Sequence, residues 1–306
     1  MGILVVGSVA FDSVETPFGV VENVLGGSAT YFATSASYFA DVSLVAVVGE
    51  DFPAEHTAFL ESRNIDLRGL VRSSGKTFSW RGKYGYDLNE AQTLETNLNV
   101  FETFKPTIPA EYADEEFLFL ANIDPDLQMD VVSQVKNPRV VASDTMNYWI
   151  SSKAESLKKV IGKVDILIIN DAEARQLSQE PNLVKAARKI LSLGVKTLIV
   201  KRGEYGVLMF TDSTVFAAPA YPLEKVFDPT GAGDTFAGGF MGYLANTGNL
   251  SDAGIRQAII FGSVMASFNV EDFSLDRMRS LSYREIEDRY RSFKAMTYFE
   301  GLPETT

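Results

Sequence analysis

The chain contains no cysteine, so it forms no disulfide, offers no thiolate nucleophile and holds no Cys-ligated zinc or iron–sulfur site. It has one histidine, His56. A His-rich metal centre is thereby excluded, and a Ser-His-Asp triad would have to run through that residue. Basic side chains are outnumbered: 28 Lys and Arg stand against 40 Asp and Glu, a formal net charge of −12. A chain this acidic lacks the clustered Lys and Arg that nucleic-acid phosphates need, so no nucleic-acid partner is expected. A local basic pocket for a small anion remains allowed. No apolar run reaches the ~18 residues of a membrane span, so no membrane partner is expected. The opening Met-Gly-Ile-Leu-Val-Val has no basic region of the kind that precedes a signal sequence, and a cytoplasmic protein is expected.

What is present is ordinary globular composition, 46% apolar and 22% charged over 306 residues. Short apolar runs recur at 3–6, 42–48, 117–120, 140–142, 164–169 and 195–200. They are nearly continuous, as expected of strands buried on both faces. Helix-period segments lie between several of them, including 30–40 and 183–192. Strands alternating with helices predict an α/β fold with a mostly parallel central sheet. Two stretches break the rhythm. One is the β-rich run 17–24, and the other is 74–100, with alternating Phe78, Trp80, Tyr84 and Tyr86. They read as strands of a small, antiparallel inserted sheet that acts as a lid, spanning about 13–25 and 74–100. From 251 onward the pattern is helical, over 253–268 and 282–293. No linker interrupts the chain, so a single domain over 1–306 is expected.

Two nucleotide motifs fail. Gly75-Lys76-Thr77 resembles the end of a P-loop, but the first glycine would stand at Leu70, and strand follows instead of helix. Gly231-Ala232-Gly233 opens like a dinucleotide fingerprint, but Phe236 occupies the third glycine position.

The segment Asp228-Pro229-Thr230-Gly231-Ala232-Gly233-Asp234 carries the most chemistry. Its glycines let backbone N–H groups approach a ligand, and a helix follows over 235–245. A glycine turn at a helix N-terminus binds anions. A carboxylate in the same turn fits a base that takes a proton from a hydroxyl attacking a bound phosphoryl group. Spacing alone leaves a second reading open, in which Asp234 is an N-cap and the glycines make a tight turn.

The string resembles the second signature of the ribokinase or PfkB family of carbohydrate kinases, with Asp228, Thr230, Gly231, Ala232, Gly233 and Asp234 as the matching residues and Pro229 as the variable position. Further matches follow in family order from about residue 7 to 270. Gly26-Gly27 before an apolar helix looks like the first signature, and Val48-Gly49-Glu50-Asp51 resembles the V-G-x-D turn. Asn170 and Glu173 match N-x-x-E. Lys201-Arg202-Gly203, with Gly206, resembles the nucleotide-side G-x-x-G turn. Each has a plainer reading by itself: an N-cap with a first-turn acid, a hairpin turn, surface charges at Lys201 and Arg202, lid core at Trp80 and Tyr84. His56 reads as a surface helix residue.

The resemblance implies a ribokinase-like three-layer sandwich with a small β-sheet lid. It implies ATP as co-substrate, Mg²⁺ as cofactor and a sugar or nucleoside as acceptor. Asp234 would be the base, beside an anion hole of Gly231, Ala232 and Gly233. Thr230, Lys201, Gly203 and Gly206 would serve the nucleotide, and Asn170 and Glu173 would hold Mg²⁺ through water. Asp12, Gly26, Gly27, Ser28 and Tyr31 would bind the acceptor. A monovalent cation is a further implication. Separately, lid strands with exposed aromatics can pair between subunits, so a homodimer through the lid is expected. The chain departs from the family at Tyr31, where many members keep Asn, and at Ser28, where Lys or Ala is frequent. With Phe11, Phe78 and Trp80 nearby, Tyr31 would suit a flat aglycone, so a nucleoside kinase is the alternative substrate reading. A non-catalytic nucleotide- or sugar-binding protein is the alternative of another class.

Overall fold

The computed structural model describes residues 1–301. In chain order its strands are β1 (Ile3–Val6), β2 (Ala10–Thr16), β3 (Gly19–Gly26), β4 (Val42–Val48), β5 (Ile65–Arg72), β6 (Phe78–Tyr84) and β7 (Ala91–Asn97), then β8 (Phe117–Leu120), β9 (Val140–Ser143), β10 (Ile166–Asn170), β11 (Thr197–Lys201), β12 (Val207–Phe210) and β13 (Val215–Ala218). Nine of them form one sheet in the order β13-β12-β11-β10-β9-β8-β1-β4-β5. The seven strands from β11 to β5 run parallel, while β12 and β13 pair antiparallel at one edge.

The buried runs are divided residue by residue between two cores. Ile3 and Val5 of β1, with Phe117 and Phe119 of β8, face one core, and Leu4, Val6, Leu118 and Leu120 face the other. Period-2 alternation does this to any strand covered on both sides. Helices Ser28–Ala36, Ala232–Thr247, Asp252–Asn269 and Tyr283–Thr297 supply the first core. Helices Pro125–Gln134, Ala154–Ile161, Asp171–Ser178 and Leu183–Leu191 supply the second. Three layers result, as the α/β reading required.

The remaining strands form a four-stranded sheet in the order β3-β2-β6-β7. Its two hairpins, β2–β3 and β6–β7, are antiparallel as expected, but the central pair β2–β6 is parallel. The reason is topological. The hairpins leave the large sheet after β1 and β5, two strands that run the same way, and they meet first strand to first strand.

Candidate active site

The parallel strands all end on one edge of the large sheet, where α/β folds gather ligands. Asn170 closes β10 and Lys201 closes β11, and the two are paired in register. Facing them is the first turn of helix Ala232–Thr247. This helix starts from Gly231, held at φ 72°, a left-handed conformation that favours glycine. A Cβ on Gly231 would come within 2.4 Å of the Tyr31 ring, so the turn rests directly on that ring.

Asp234 is the third residue of the helix and therefore not its N-cap. Burial pushes its carboxyl above the ordinary range, and Lys201 and a hydrogen bond with the Asp144 carboxyl oppose the rise. Lys201 is no surface charge. A Cβ on Gly233 would lie 2.5 Å from its Nζ, so the ammonium sits against the glycine turn. Of the three expected anion-hole amides, that of Ala232 donates to the Pro229 carbonyl at 3.1 Å in this state. Gly233 N–H has no backbone acceptor among the described residues.

The rest of the motif is a brace. The Asp228 carboxylate accepts from Thr230 N–H at 2.9 Å and Ser274 N–H at 3.2 Å. The Ser274 hydroxyl continues to the Leu25 carbonyl of β3 at 2.6 Å. Asn269 Nδ2 donates to the Thr230 carbonyl at 2.8 Å.

Asp12 is buried on β2, its carboxylate lying over Gly26, where a Cβ would meet Oδ2 at 2.0 Å. Burial, then the Asp228 and Asp234 charges, push its carboxyl up to about 7, against a hydrogen bond from Gly27 N–H. Gly27 has φ 96°, and a Cβ there would strike the Ser8 carbonyl at 2.5 Å. The Ser28 hydroxyl is engaged. It accepts from Ser8 N–H at 3.3 Å while Ser28 N–H donates to Ser8 Oγ at 3.0 Å. The Tyr31 hydroxyl is buried near Asp12, and burial and the Asp12 charge raise its pKa.

The small sheet closes over this edge. Tyr84 is buried, and its hydroxyl accepts from Thr230 Oγ1 at 3.4 Å. Asn89, in the β6–β7 loop, reaches the nucleotide-side turn, where a Cβ on Gly203 would lie 2.2 Å from Asn89 Oδ1. Gly206 closes that turn by accepting from Arg202 N–H at 2.8 Å. Trp80 lies over Gly82 with its indole N–H on Thr93 at 3.2 Å. Two other aromatics expected nearby are committed elsewhere. Phe11 alternates away from Asp12 and stacks on Phe52 at 5.9 Å, beside a half-buried His56 in helix Ala54–Ser62. Phe78 stacks on Phe101 at 5.3 Å.

Asn170 and Glu173 form a reciprocal cap on helix Asp171–Ser178, with both bonds 2.8 Å long. Burial raises the Glu173 carboxyl and the Lys201 charge lowers it. Its Oε2 is spent on the cap, which leaves Oε1 for a ligand. No group of three His, Cys, Asp or Glu side chains that could hold a metal directly occurs among the described residues. A carboxylate oxygen beside a phosphate-binding turn fits Mg²⁺ held through its waters.

Asp144 was missed in the sequence. It follows β9, is buried, and faces Asp234, Lys201 and Glu173. A lone Asp after a four-residue strand has no spacing signature.

A glycine turn at a helix N-terminus, a half-buried carboxylate in its first turn and a lysine against it define a phosphoryl-transfer type of site on a doubly covered α/β sheet. The comparisons agree. Residues 3–279 match the pfkB family carbohydrate kinase model, and the chain belongs to that family. It is 32% identical over 246 residues to a cytidine kinase of Thermococcus kodakarensis, covering 79% of this chain and 87% of that one. It is 26% identical over 290 residues to a nucleoside kinase of Methanothermobacter thermautotrophicus, covering 88% and 89%. Among solved structures, the Methanocaldococcus jannaschii nucleoside kinase superposes with a TM-score of 0.76 at 20% identity, covering 95% of this chain and 98% of that one. The chain is thus a kinase with the ribokinase-type fold. Among the described residues no helix is long and apolar enough to cross a membrane.

Proposed function

We propose that the chain moves the γ-phosphoryl group of ATP to a hydroxymethyl group of a sugar, free or carried in a nucleoside, with Asp234 as the base. The observation that carries this reading is the half-buried Asp234 carboxyl in the first helical turn, one residue from the glycine against which Lys201 rests. The base accepts the hydroxyl proton as the oxygen attacks phosphorus. Lys201 and the free turn amides stabilise charge on the phosphoryl oxygens. Asn170 and Glu173 would hold Mg²⁺ through its waters, and the bound ion would supply charge neutralisation at the phosphates. Asp12 and the Tyr31 hydroxyl orient the acceptor.

The nucleoside form of the acceptor is supported by relatives described as cytidine and nucleoside kinases and by Trp80, half-buried on the Asp12 side of the small sheet. The small sheet acts as the lid. It excludes water, and so suppresses ATP hydrolysis. Its outer strand β7 is exposed along its length, with Leu94 and Leu98 on the surface, which supports pairing of two lids in a homodimer. An ATP-dependent small-molecule kinase of this kind works in the cytoplasm.

The test is ADP release from Mg-ATP with ribose, hexoses, cytidine, adenosine, inosine and guanosine. Turnover on cytidine or another nucleoside is expected. Asp234→Asn should keep ligand binding and lose roughly 10²- to 10⁴-fold in kcat. Near-normal turnover in that variant would remove Asp234 from its role. Binding without turnover on every acceptor would favour a non-catalytic protein.

A further inference from the structure

Ser274 bonds at once to the lid strand beside Asp12 and to the motif that carries the glycine turn. It lies between helices Asp252–Asn269 and Asp276–Ser280 and is 5% exposed. Its hydroxyl donates to the Leu25 carbonyl of β3 at 2.6 Å, and its N–H donates to Asp228 Oδ2 at 3.2 Å. Leu25 precedes Gly26, on which the Asp12 carboxylate lies. Asp228 Oδ1 accepts from Thr230 N–H at 2.9 Å, one residue before Gly231. A continuous run of contacts therefore leads from the acceptor side, through Ser274, to the turn that carries Asp234.

The backbone of Ser274 is left-handed, with φ 54°. Glycine adopts that conformation without strain, and a residue with a Cβ does not. Glycine would also keep the N–H bond to Asp228. What serine adds is the hydroxyl, and the hydroxyl goes to the lid. A strained backbone that retains one directed hydrogen bond points to a use for that bond.

The other attachment of this hairpin is of a different kind. At the β2–β3 tip Phe18 meets Phe227 edge-on at 5.9 Å, Phe227 meets Phe273 at 6.5 Å, and a Cβ on Gly19 would touch the Phe273 ring at 3.2 Å. Apolar contact holds the tip on the body without fixing its register, because it has no direction. The hydrogen bond of Ser274 has one.

We infer that Ser274 is a positioning residue: its hydroxyl ties β3 to the Asp228 motif and so holds the acceptor hydroxyl in line with a phosphoryl group at the glycine turn. This rests on the reading of Asp12 as acceptor ligand and Asp234 as base. Transfer needs the reacting atoms about 3–3.5 Å apart, and a displacement of about 1 Å costs roughly 10²-fold. Water that attacks the same phosphoryl group does not depend on where β3 stands.

The experiment compares Ser274→Gly, Ser274→Ala and Ser274→Thr by Tm, by kcat and KM on the best acceptor from the screen, by ADP release without acceptor, and by amide hydrogen exchange over residues 19–26. Ser274→Thr keeps the hydroxyl and puts a β-branched residue on a left-handed backbone. Its Tm should fall while kcat stays within about 3-fold of wild type, a smaller change than misplacement gives. Ser274→Gly should show the reverse order. Relief of strain offsets the lost bond, so Tm stays above that of Ser274→Thr, while kcat falls roughly 10- to 10²-fold with KM for ATP little changed. Acceptor-free ADP release in that variant should hold or rise, and exchange over 19–26 should quicken. Ser274→Ala loses the hydroxyl and keeps the strain, so it should match Ser274→Gly in kcat at a lower Tm. That pair decides the matter if Ser274→Thr does not fold. A kcat that follows Tm through the series, wild-type kcat in Ser274→Gly and Ser274→Ala, or unchanged exchange over 19–26 in both overturns the proposal. So does a fall in acceptor-free ADP release equal to the fall in kcat, which would place the effect in the glycine turn itself. Failure of Asp234 as base shows separately, as unchanged kcat in Asp234→Asn with the order of the Ser274 variants intact.

Discussion

Lys201 ends β11 with its ammonium against Gly233, so close that a Cβ on that glycine would stand 2.5 Å from Nζ. The contact joins the nucleotide-side strand to the turn that carries Asp234. It also explains why small residues are needed there: a side chain at Gly233 and the Lys201 ammonium claim the same space. Lys201 is the group that most opposes the effect of burial on Asp234. Lys201→Met should therefore raise the Asp234 carboxyl further and move the acid limb of the kcat profile to higher pH. Loss of a positive charge at the transferring phosphoryl should cost roughly 10²- to 10³-fold in kcat. A variant with unmoved limb and unchanged kcat would make Lys201 a packing residue.

Asp12 gives a stability prediction with a definite sign. Its carboxyl sits at about 7 in the folded protein against 3.8 ordinarily, so the folded state prefers the protonated form. Its contribution is most favourable below the ordinary value and is lost as pH rises from about 4 through about 7. The full loss is about 4 kcal/mol, from the displacement at 1.36 kcal/mol per pH unit. Asp12→Asn should raise Tm by several degrees at pH 8 and by much less at pH 5, while binding of the acceptor weakens. Thermal melts at the two pH values measure this. An equal shift at both would show that ionisation of Asp12 does not strain the fold.

Asn170 and Glu173 satisfy two readings of the same sequence at once, because a helix cap and a spare carboxylate oxygen coexist in one side chain. The two can be separated. Glu173→Gln keeps a capping partner, since Gln also completes a capping box, and removes the charge. It should leave Tm nearly unchanged and raise the Mg²⁺ concentration needed for half-maximal rate. Asn170→Ala should instead cost about 1 kcal/mol through the lost cap. An unchanged Mg²⁺ titration in Glu173→Gln would confine the pair to the cap.

Much of this was legible in the sequence, and the exceptions have physical causes. The strands at 3–6, 42–48 and 117–120 stand where their apolar runs do, because burial on both faces selects apolar residues almost throughout, Ser43 being the one polar side chain among them. That same two-sided burial hid the direction of Lys201, since a continuous apolar run carries no parity to say which face its last residue joins. Strand β5, Ile65–Arg72, escaped notice because it forms an edge of the sheet and mixes Asp66, Arg68 and Arg72 among its apolar positions. The glycine turn was readable because only certain residues tolerate its backbone. Asp144 was not, because its meaning comes from Asp234, 90 residues later in the chain.

The failed P-loop of the sequence, Gly75-Lys76-Thr77, acquires a role through Asp51. The Asp51 carboxylate accepts from both the Thr77 N–H and the Thr77 hydroxyl at 2.7 Å, and Thr77 Oγ1 accepts from Gly49 N–H at 3.0 Å. Glu50 N–H adds a bond to the Gly75 carbonyl at 2.9 Å. The turn after β4 thus clamps the chain one residue before β6 enters the small sheet, and Tyr84 at the far end of β6 meets Thr230. Asp51→Ala removes two charge-assisted bonds, each worth about 1.5–3 kcal/mol, from the base of the lid while touching nothing that binds substrate. Lid closure should loosen, with kcat/KM for the acceptor falling and ADP release in the absence of acceptor rising as water gains access. Asp51→Asn, which keeps one acceptor oxygen, should fall between. Amide hydrogen exchange over residues 76–84 should quicken in the same order. If acceptor-free ADP release stays at the wild-type rate while exchange quickens, the small sheet does not exclude water from the phosphates, and its role as a lid fails.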